Sequence, residues 1–348
     1  LSSRTGVPAL LLEQEQVIDP VVLKKDLERQ VIGQEEAVDA MVDLVLKIKS
    51  GLTGNRRPWG VYLFTGPTGT GKTEMAKTLA AYLYGDESRL VRFDMSEYAT
   101  PDAPSRLIGD RYRPEGVLTS QVRQQPFCVV LFDEIEKAHP SVLNLMLQMF
   151  DEGRLTDAAG NEADFRHAVI VMTSNLGASQ NATMGFGEDA SAHLHDQMRA
   201  VQDFFAPERF NRIDSVVRFG PLNMQVARII ARKELAKLMA RRGLTERDVF
   251  IRMSRTVVDM VAREGFDARD GARSLKRYLE RNVAGLLAEE IVARPGNDMR
   301  VMRLWRDRRT GELDLQGDVL REVELMAEAS RLEPLLERNV EELEQQLP

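Results

Sequence analysis

Gly66-Pro67-Thr68-Gly69-Thr70-Gly71-Lys72-Thr73 follows the apolar run Gly60-Val61-Tyr62-Leu63-Phe64-Thr65 and precedes Glu74-Met75-Ala76-Lys77-Thr78-Leu79-Ala80-Ala81-Tyr82-Leu83. The eight residues fit the pattern G-x-x-x-x-G-K-[ST]. The run before them reads as a buried strand and the run after them as a helix, which is the context a phosphate-binding loop needs. Glycines let backbone N–H groups turn inward around a polyphosphate without Cβ clashes. The helix N-terminus adds partial positive charge. Lys72 is placed to reach the β- and γ-phosphates of ATP, and the Thr73 hydroxyl to ligate Mg²⁺. A glycine-rich turn without a ligand is the plain alternative; Lys-Thr and both flanking elements weigh against it.

Working outward, strand-like and helix-like runs alternate. Leu90-Val91-Arg92-Phe93-Asp94 reads as a second strand. Ser105 to Ile108 reads as the end of a short helix, Gly109 to Gly116 as a loop and Val117 to Gln124 as a helix. Phe127-Cys128-Val129-Val130-Leu131-Phe132-Asp133-Glu134 is apolar until its two terminal acids, as a parallel strand covered on both faces must be. A helix spans Ser141 to Phe150 behind Pro140, a polar loop Gly153 to Asp164, and another buried strand Ala168 to Asn175. Val216 to Phe219 closes the unit. The alternation predicts an α/β fold with a largely parallel sheet, and ligands at the C-terminal strand ends. Thr73, Asp133, Glu134 and Asn175 all fall at such ends. Asp133 would hold Mg²⁺ through water, and Glu134 would activate the attacking water as general base. Two solvated acids at a strand end are the bland alternative.

The remainder is organised differently. Leu222 to Arg242, Thr256 to Glu264 and Ala272 to Ala293 read as helices, and Arg300 to Trp305 with Glu312 to Leu315 as a short hairpin. Four segments result: a linker and lead-in helix over 1–30, the large α/β nucleotide-binding domain over 31–220, a small helical domain with a hairpin over 221–317, and an acidic helical tail over 318–348. The tail's apolar positions, Val323, Met326, Leu332, Leu335, Leu336, Val340 and Leu343, suit packing on a neighbouring helix, a short coiled coil or docking on the chain's own domain.

Bulk properties bound the class. The chain has 348 residues, 43% of them hydrophobic and 29% charged, as in ordinary globular proteins. Its net charge of −7 argues against general nucleic-acid affinity. No apolar run approaches the ~20 residues that span a bilayer, so no membrane partner is expected, and with no visible signal peptide the default compartment is cytoplasmic. The single cysteine, Cys128, excludes an internal disulfide framework and a cysteine-based metal site. An opening at Leu1 and not Met reads as an excised or processed piece of a longer protein.

Several blocks together resemble one family, the Clp branch of the AAA+ unfoldases, and within it the second, C-terminal ATPase module of the ClpA, ClpB and ClpC type. They are Val31-Ile32-Gly33-Gln34, Gly66 to Thr73, Phe93 to Tyr98, Asp133 to Pro140, Asp151 to Asp157, Thr173-Ser174-Asn175, Asn211-Arg212-Ile213-Asp214 and Gly271-Ala272-Arg273. The blocks are spread over most of residues 1–305. The resemblance implies a P-loop NTPase fold with a parallel five-stranded sheet and a helical lid domain. It implies ATP hydrolysis coupled to unfolding or remodelling of protein substrates, in a homohexameric ring. By position it implies that Val31 and Ile32 flank the adenine. It makes Asn175 a sensor orienting the attacking water, Arg212 an arginine finger donated to the neighbouring subunit, and Arg273 a second sensor. The alternatives are a strand-ending Asn, a surface Arg212 paired with Asp214, and a helix-surface Arg273.

Two features depart from the family pattern or extend it. The family's pore loop carries an aromatic flanked by glycines; here Asp110-Arg111-Tyr112-Arg113-Pro114-Glu115-Gly116 is several residues short, leaving Tyr112 either as the gripping aromatic or as packing for a shortened loop. Met184-Gly185-Phe186 resembles the tripeptide through which ClpA- and ClpC-like unfoldases dock on the Clp peptidase, although Met stands in place of a branched residue and such triplets arise by chance. A nucleotide-gated assembly module without threading, and an adaptor-like motor for a Clp-like peptidase or a secretion machine, stand as the competing functions, with a peptidase or an adaptor as possible partners.

Overall fold

A computed structural model describes residues 18–177, 198–247, 249–293, 300–307, 309–310 and 313–319. The triplet Met184-Gly185-Phe186, residues 1–17 and the tail from 320 onward lie outside the described residues. The chain divides into two compact units, Leu1–Pro221 and Leu222–Pro348.

The first unit is built on strands β1 (Gly60–Thr65), β2 (Leu90–Asp94), β3 (Val129–Asp133), β6 (Val169–Ser174) and β7 (Ser215–Arg218), with β4 (Arg154–Thr156) and β5 (Glu162–Asp164) set apart as a hairpin. The five make one parallel sheet in the order β2-β3-β6-β1-β7, the α/β architecture expected. Every residue of β1, β3 and β6 is buried, because helices cover both faces. Side-chain alternation divides them between two cores. Val61, Leu63, Val130, Phe132, Ile170 and Met172 face a core shared with the helices Val117–Gln124 and Pro140–Glu152. Tyr62, Phe64, Val129, Leu131, Val169 and Val171 face one shared with the helices Glu35–Lys49 and Lys72–Tyr84. The helix Pro20–Gln30, read from sequence as a lead-in, inserts Leu23 and Leu27 into this second core. Its start is fixed locally: Asp19 accepts a hydrogen bond from Val21 N at 2.8 Å, with proline in the first turn.

The segment Gly153 to Asp164, expected to be a loop, holds the antiparallel β4–β5 hairpin. Each strand has three residues and buries only Leu155 or Ala163, too little periodicity to register in sequence.

In the second unit, β8 (Val249–Met253), β9 (Arg300–Arg306) and β10 (Leu313–Val319) form a sheet in the order β10-β9-β8. The expected hairpin is β9–β10; β8, unforeseen, pairs parallel to β9. Helices Met224–Met239, Arg255–Gly265 and Ala272–Tyr278 pack around Leu235, Val257, Val261 and Leu275, all inaccessible to solvent. The helix read as continuous from Ala272 to Ala293 passes through a π-helical segment, Leu279–Ala284, before resuming at Gly285–Ala293.

Cys128, just before β3, is fully buried in the first core, and that burial pushes its thiol up from 9.0 to about 12. The folded state therefore favours the protonated thiol. Its contribution to stability is intact below about pH 9 and is lost as pH rises toward 12. Cys128 is expected to resist iodoacetamide at neutral pH and to react in step with unfolding in urea. Rapid alkylation of the native chain, read by mass spectrometry, would contradict this packing.

Candidate nucleotide site

The C-terminal ends of the central strands converge because the strands pair in register: Thr65 lies opposite Ser174, Phe132 opposite Met172 and Asp133 opposite Asp94. Gly66 leaves β1 with φ 147°, and a Cβ there would stand 2.2 Å from the Phe219 carbonyl oxygen, so the loop begins where only glycine fits. Gly69 and Gly71 are also left-handed, with φ 74° and 109°. The Thr70 hydroxyl braces the loop by donating to Pro67 O at 2.8 Å. The helix Lys72–Tyr84 follows with no side chain capping its first turn, which leaves N–H groups directed at the loop, as anion binding requires.

Lys72 is 8% exposed, and its Nζ donates to Gly66 O (2.6 Å), Pro67 O (2.8 Å) and Asn175 Oδ1 (2.9 Å). Two residues that are 103 positions apart in sequence thus meet directly. Asn175 is held in turn by Glu136, whose Oε1 accepts the Asn175 N–H at 3.0 Å. The other oxygen, Glu136 Oε2, is buried and has no hydrogen-bond partner among the described residues.

Asp133, 5% exposed at the end of β3, is held from two sides. Its Oδ1 accepts the Thr173 hydroxyl at 2.5 Å and its Oδ2 pairs with Arg92 at 2.6 Å. The same Thr173 oxygen accepts Glu134 N–H at 3.0 Å. Glu134 has φ 58°, the one positive value at a non-glycine residue among the described residues. A left-handed conformation costs a side-chain-bearing residue of order 1–3 kcal/mol and persists where neighbours over-determine it; here the Thr173 bond and an ion pair between Glu134 and Lys137, 2.5 Å apart, do so. Lys137 donates to the Glu134 carboxylate, and that hydrogen bond raises the Lys137 pKa.

Val31 is buried, with Cγ1 3.4 Å from where a Cβ on Gly71 would be, and Ile32 beside it is half-buried. Gln34 joins this corner to the loop. Its Nε2 donates to Thr70 O (3.1 Å) and Gly220 O (3.0 Å), and its Oε1 accepts Gly220 N–H (2.9 Å). Arg212 lies on the surface, paired with Asp151 at 3.0 Å and not with Asp214, the partner weighed from sequence. Asp214 instead accepts Val61 N–H at 2.8 Å and faces Arg57 at 3.7 Å. Arg273 is exposed on the first turn of Ala272–Tyr278 in the second unit. Tyr112 is 89% exposed on its loop.

Hard oxygen donors, the Thr73 hydroxyl and the Asp133 carboxylate, suit Mg²⁺, which takes one or two protein oxygens and completes its shell with water and phosphate. No cluster of three or more His, Cys, Asp or Glu able to hold a metal occurs among the described residues. Sequence reasoning missed Gln34, Arg92, Glu136 and Thr173 as parts of the site. Three of them stand inside blocks that resemble the family; Arg92 carries no local signal.

A glycine loop between β1 and a helix, with acids and an Asn at adjacent parallel strand ends, defines a P-loop nucleoside triphosphatase. Residues 57–216 match the family described as "AAA domain (Cdc48 subfamily)", and residues 222–302 match "C-terminal, D2-small domain, of ClpB protein". The chain belongs to the Clp-type AAA+ ATPases and carries their second ATPase module. Chaperone protein ClpB of Bacillus anthracis is 42% identical over 301 residues, covering 84% of this chain and 34% of that protein. Chaperone protein ClpB 2 of Nostoc sp. is 40% identical over 306 residues (86% and 35%), and ClpB of Nitratidesulfovibrio vulgaris 41% identical over 324 residues (91% and 36%). The chain spans about a third of the length of these curated relatives.

Replacing Gln34 by Leu leaves three backbone groups of the loop and of Gly220 without partners. A loss of about 1–3 kcal/mol in unfolding free energy is expected, with weaker binding of a fluorescent ATP analogue. Unchanged melting and unchanged affinity would show the bridge to be dispensable.

Proposed function

We propose that this chain is the second ATPase module of a ring-forming remodelling machine, in which ATP hydrolysis at subunit interfaces drives work on protein substrates. The observation that carries the reading is the convergence of Lys72, Asn175, Asp133 and Glu134 at the ends of β1, β3 and β6. Lys72 neutralises phosphate charge, and Asn175, fixed by Glu136 through its backbone, orients the attacking water. Glu134 takes that water's proton. Thr73 and Asp133 would hold Mg²⁺, which would supply neutralisation of phosphate charge. Val31 and Ile32 flank the base.

Arg212 is the group the site lacks for its own nucleotide, and it serves the neighbouring subunit's. Its partner Asp151 is half-buried and Arg212 itself is exposed; a pair at the surface is worth only about 0–1 kcal/mol, so transfer to a phosphate across an interface costs little. Arg273, in the second unit, senses the γ-phosphate. The assembly is a homohexamer, the compartment cytoplasmic and the substrate an unfolded polypeptide met by Tyr112. The relatives' description as chaperones supports the protein-substrate part of this reading. Among the described residues no helix is long and apolar enough to cross a membrane. A peptidase-docking role for Met184-Gly185-Phe186 stands as a separate proposal.

A second reading, nucleotide-gated assembly without threading, is favoured by one observation: the Tyr112 loop is short and hydrogen-bonded to the β4–β5 hairpin. Stimulation of the ATPase by an unfolded protein, lost in Tyr112→Ala, supports threading; no stimulation supports gating.

Glu134→Gln is expected to bind ATP and hold the ring together without turning over, and rapid hydrolysis by it would remove Glu134 as base. Arg212→Ala is expected to lose about 10³–10⁵ in rate while retaining ATP binding. Co-assembly of Arg212→Ala with Glu134→Gln subunits should restore some hydrolysis, because a wild-type half from each completes one site. Unrescued mixtures that still form rings would place Arg212 in cis.

A further inference from the structure

The loop carrying Tyr112 is locked from within and from without. At Gly109 (φ 83°) a Cβ would stand 2.3 Å from Pro114 O, and at Gly116 2.1 Å from Leu107 O, so the two ends of the loop pack backbone against backbone. Asp110 N donates to Arg113 O at 2.7 Å, and the Asp110 carboxylate accepts Tyr112 N–H and Arg113 N–H, each at 2.8 Å. From outside, the hairpin tip donates Ala158 N–H to Ile108 O (2.9 Å) and Ala159 N–H to Pro114 O (3.1 Å). That tip is itself set by Asp157, which is buried and accepts Ala159 N–H, Asn161 N–H and Asn161 Nδ2–H.

What this frame presents is unusual for a chain of net charge −7. Tyr112 is 89% exposed, and Arg111 and Arg113 on either side are exposed too. The nearby acids are engaged elsewhere: Asp110 on the loop's own backbone, and Glu115 beside Arg123 at 3.8 Å. No carboxylate pairs with Arg111 or Arg113 among the described residues. An exposed aromatic between two exposed guanidiniums, on a turn held by its own hydrogen bonds and backbone packing, is a contact site with much of its ordering cost already met.

We infer that Arg111-Tyr112-Arg113 is a preorganised grip selective for acidic stretches of unfolded polypeptide. The inference rests on the reading of Tyr112 as the substrate contact and adds the class of substrate to it. Guanidiniums bind Asp and Glu carboxylates with planar, paired hydrogen bonds. The tyrosine supplies an apolar body and a hydroxyl that tolerate any neighbouring side chain. Single-stranded nucleic acid offers related chemistry, phosphates and stacking bases, but the acidic balance of the chain opposes a polyanion of that length.

The test uses the whole chain with a slowly hydrolysed ATP analogue and fluorescence anisotropy. The probes are fluorescein-labelled peptides of equal length built from Gly and Ser with Glu, Gln or Lys, and an oligothymidylate. The Glu peptide is expected to bind roughly fivefold to tenfold more tightly than the Gln peptide at low salt, the preference shrinking as salt rises. Arg111→Glu with Arg113→Glu should reverse it toward the Lys peptide, and Arg111→Gln with Arg113→Gln should abolish it, both at an unchanged melting temperature. Tyr112→Ala should weaken all three peptides alike. Equal binding of the peptides that still requires Tyr112 overturns the acidic preference and leaves Tyr112 as a substrate contact. Binding indifferent to Tyr112 and to both arginines, or no binding at all, overturns both. Tighter binding of the oligothymidylate than of the Glu peptide assigns the grip to nucleic acid and overturns the proposal.

Discussion

The register of three buried parallel strands is the constraint on which the rest of this structure depends. β1, β6 and β3 pair so that Thr65, Ser174 and Asp133 end near one level, and each strand is covered on both faces. A slip of one residue would exchange the two cores, moving Leu63, Phe132 and Met172 to the face now held by Phe64, Leu131 and Val171. Because both cores are packed, that slip is strongly opposed, and the residues just beyond the strand ends inherit fixed positions.

Those positions let a few polar groups complete one another. Thr173 is the junction: a single hydroxyl donates to Asp133 and accepts from Glu134 N, so the orientation of one acid and the backbone of the next are set together. Asn175 is fixed at both ends, by Glu136 at its backbone and by Lys72 at its side chain. Gln34 ties the phosphate loop to Gly220, across 186 positions of sequence. Preorganised polar groups of this kind lose little by reorganising when charge develops on a phosphoryl group, which is where electrostatic catalysis gains most.

The β4–β5 hairpin is physically continuous with this centre. It follows the helix Pro140–Glu152 that starts beyond Glu134, and it leads into β6, which ends beside Asn175. Phe165 N–H donates to Gly153 O at 2.8 Å, closing its base, and its tip holds the Tyr112 loop. The hairpin's tip is hydrogen-bonded to Ile108 and Pro114, which flank the exposed Arg-Tyr-Arg triplet, while its base lies beside the start of β1, at the opposite end of the sheet from the phosphate loop. Helix Pro140–Glu152 and strand β6 are thus the two covalent links between the hairpin and the strand ends that carry Glu134 and Asn175.

Much of this was legible in sequence where local pattern carries the information. Gly66 to Thr73 announces a phosphate loop because its glycines, Lys72 and Thr73 each serve chemistry that allows few substitutes. The apolar runs ending at Thr65, Asp133 and Ser174 announce buried parallel strands because two-sided burial removes polar alternation. The short β4–β5 hairpin, β8 with its half-exposed residues, and the π-helical turn at Leu279–Ala284 were not legible, because neither their length nor their periodicity distinguishes them from loop or ordinary helix. Nor were the roles of Gln34, Arg92, Glu136 and Thr173, or the choice of Asp151 over Asp214 for Arg212. Those are hydrogen bonds and ion pairs between residues far apart in the chain, and they exist only once the sheet has brought the strand ends together. By itself the sequence determined what chemistry the loop can do and which strands are buried. The tertiary structure decided which side chains hold that chemistry in place, since partner choice between distant polar groups is a matter of register and packing that no local pattern encodes.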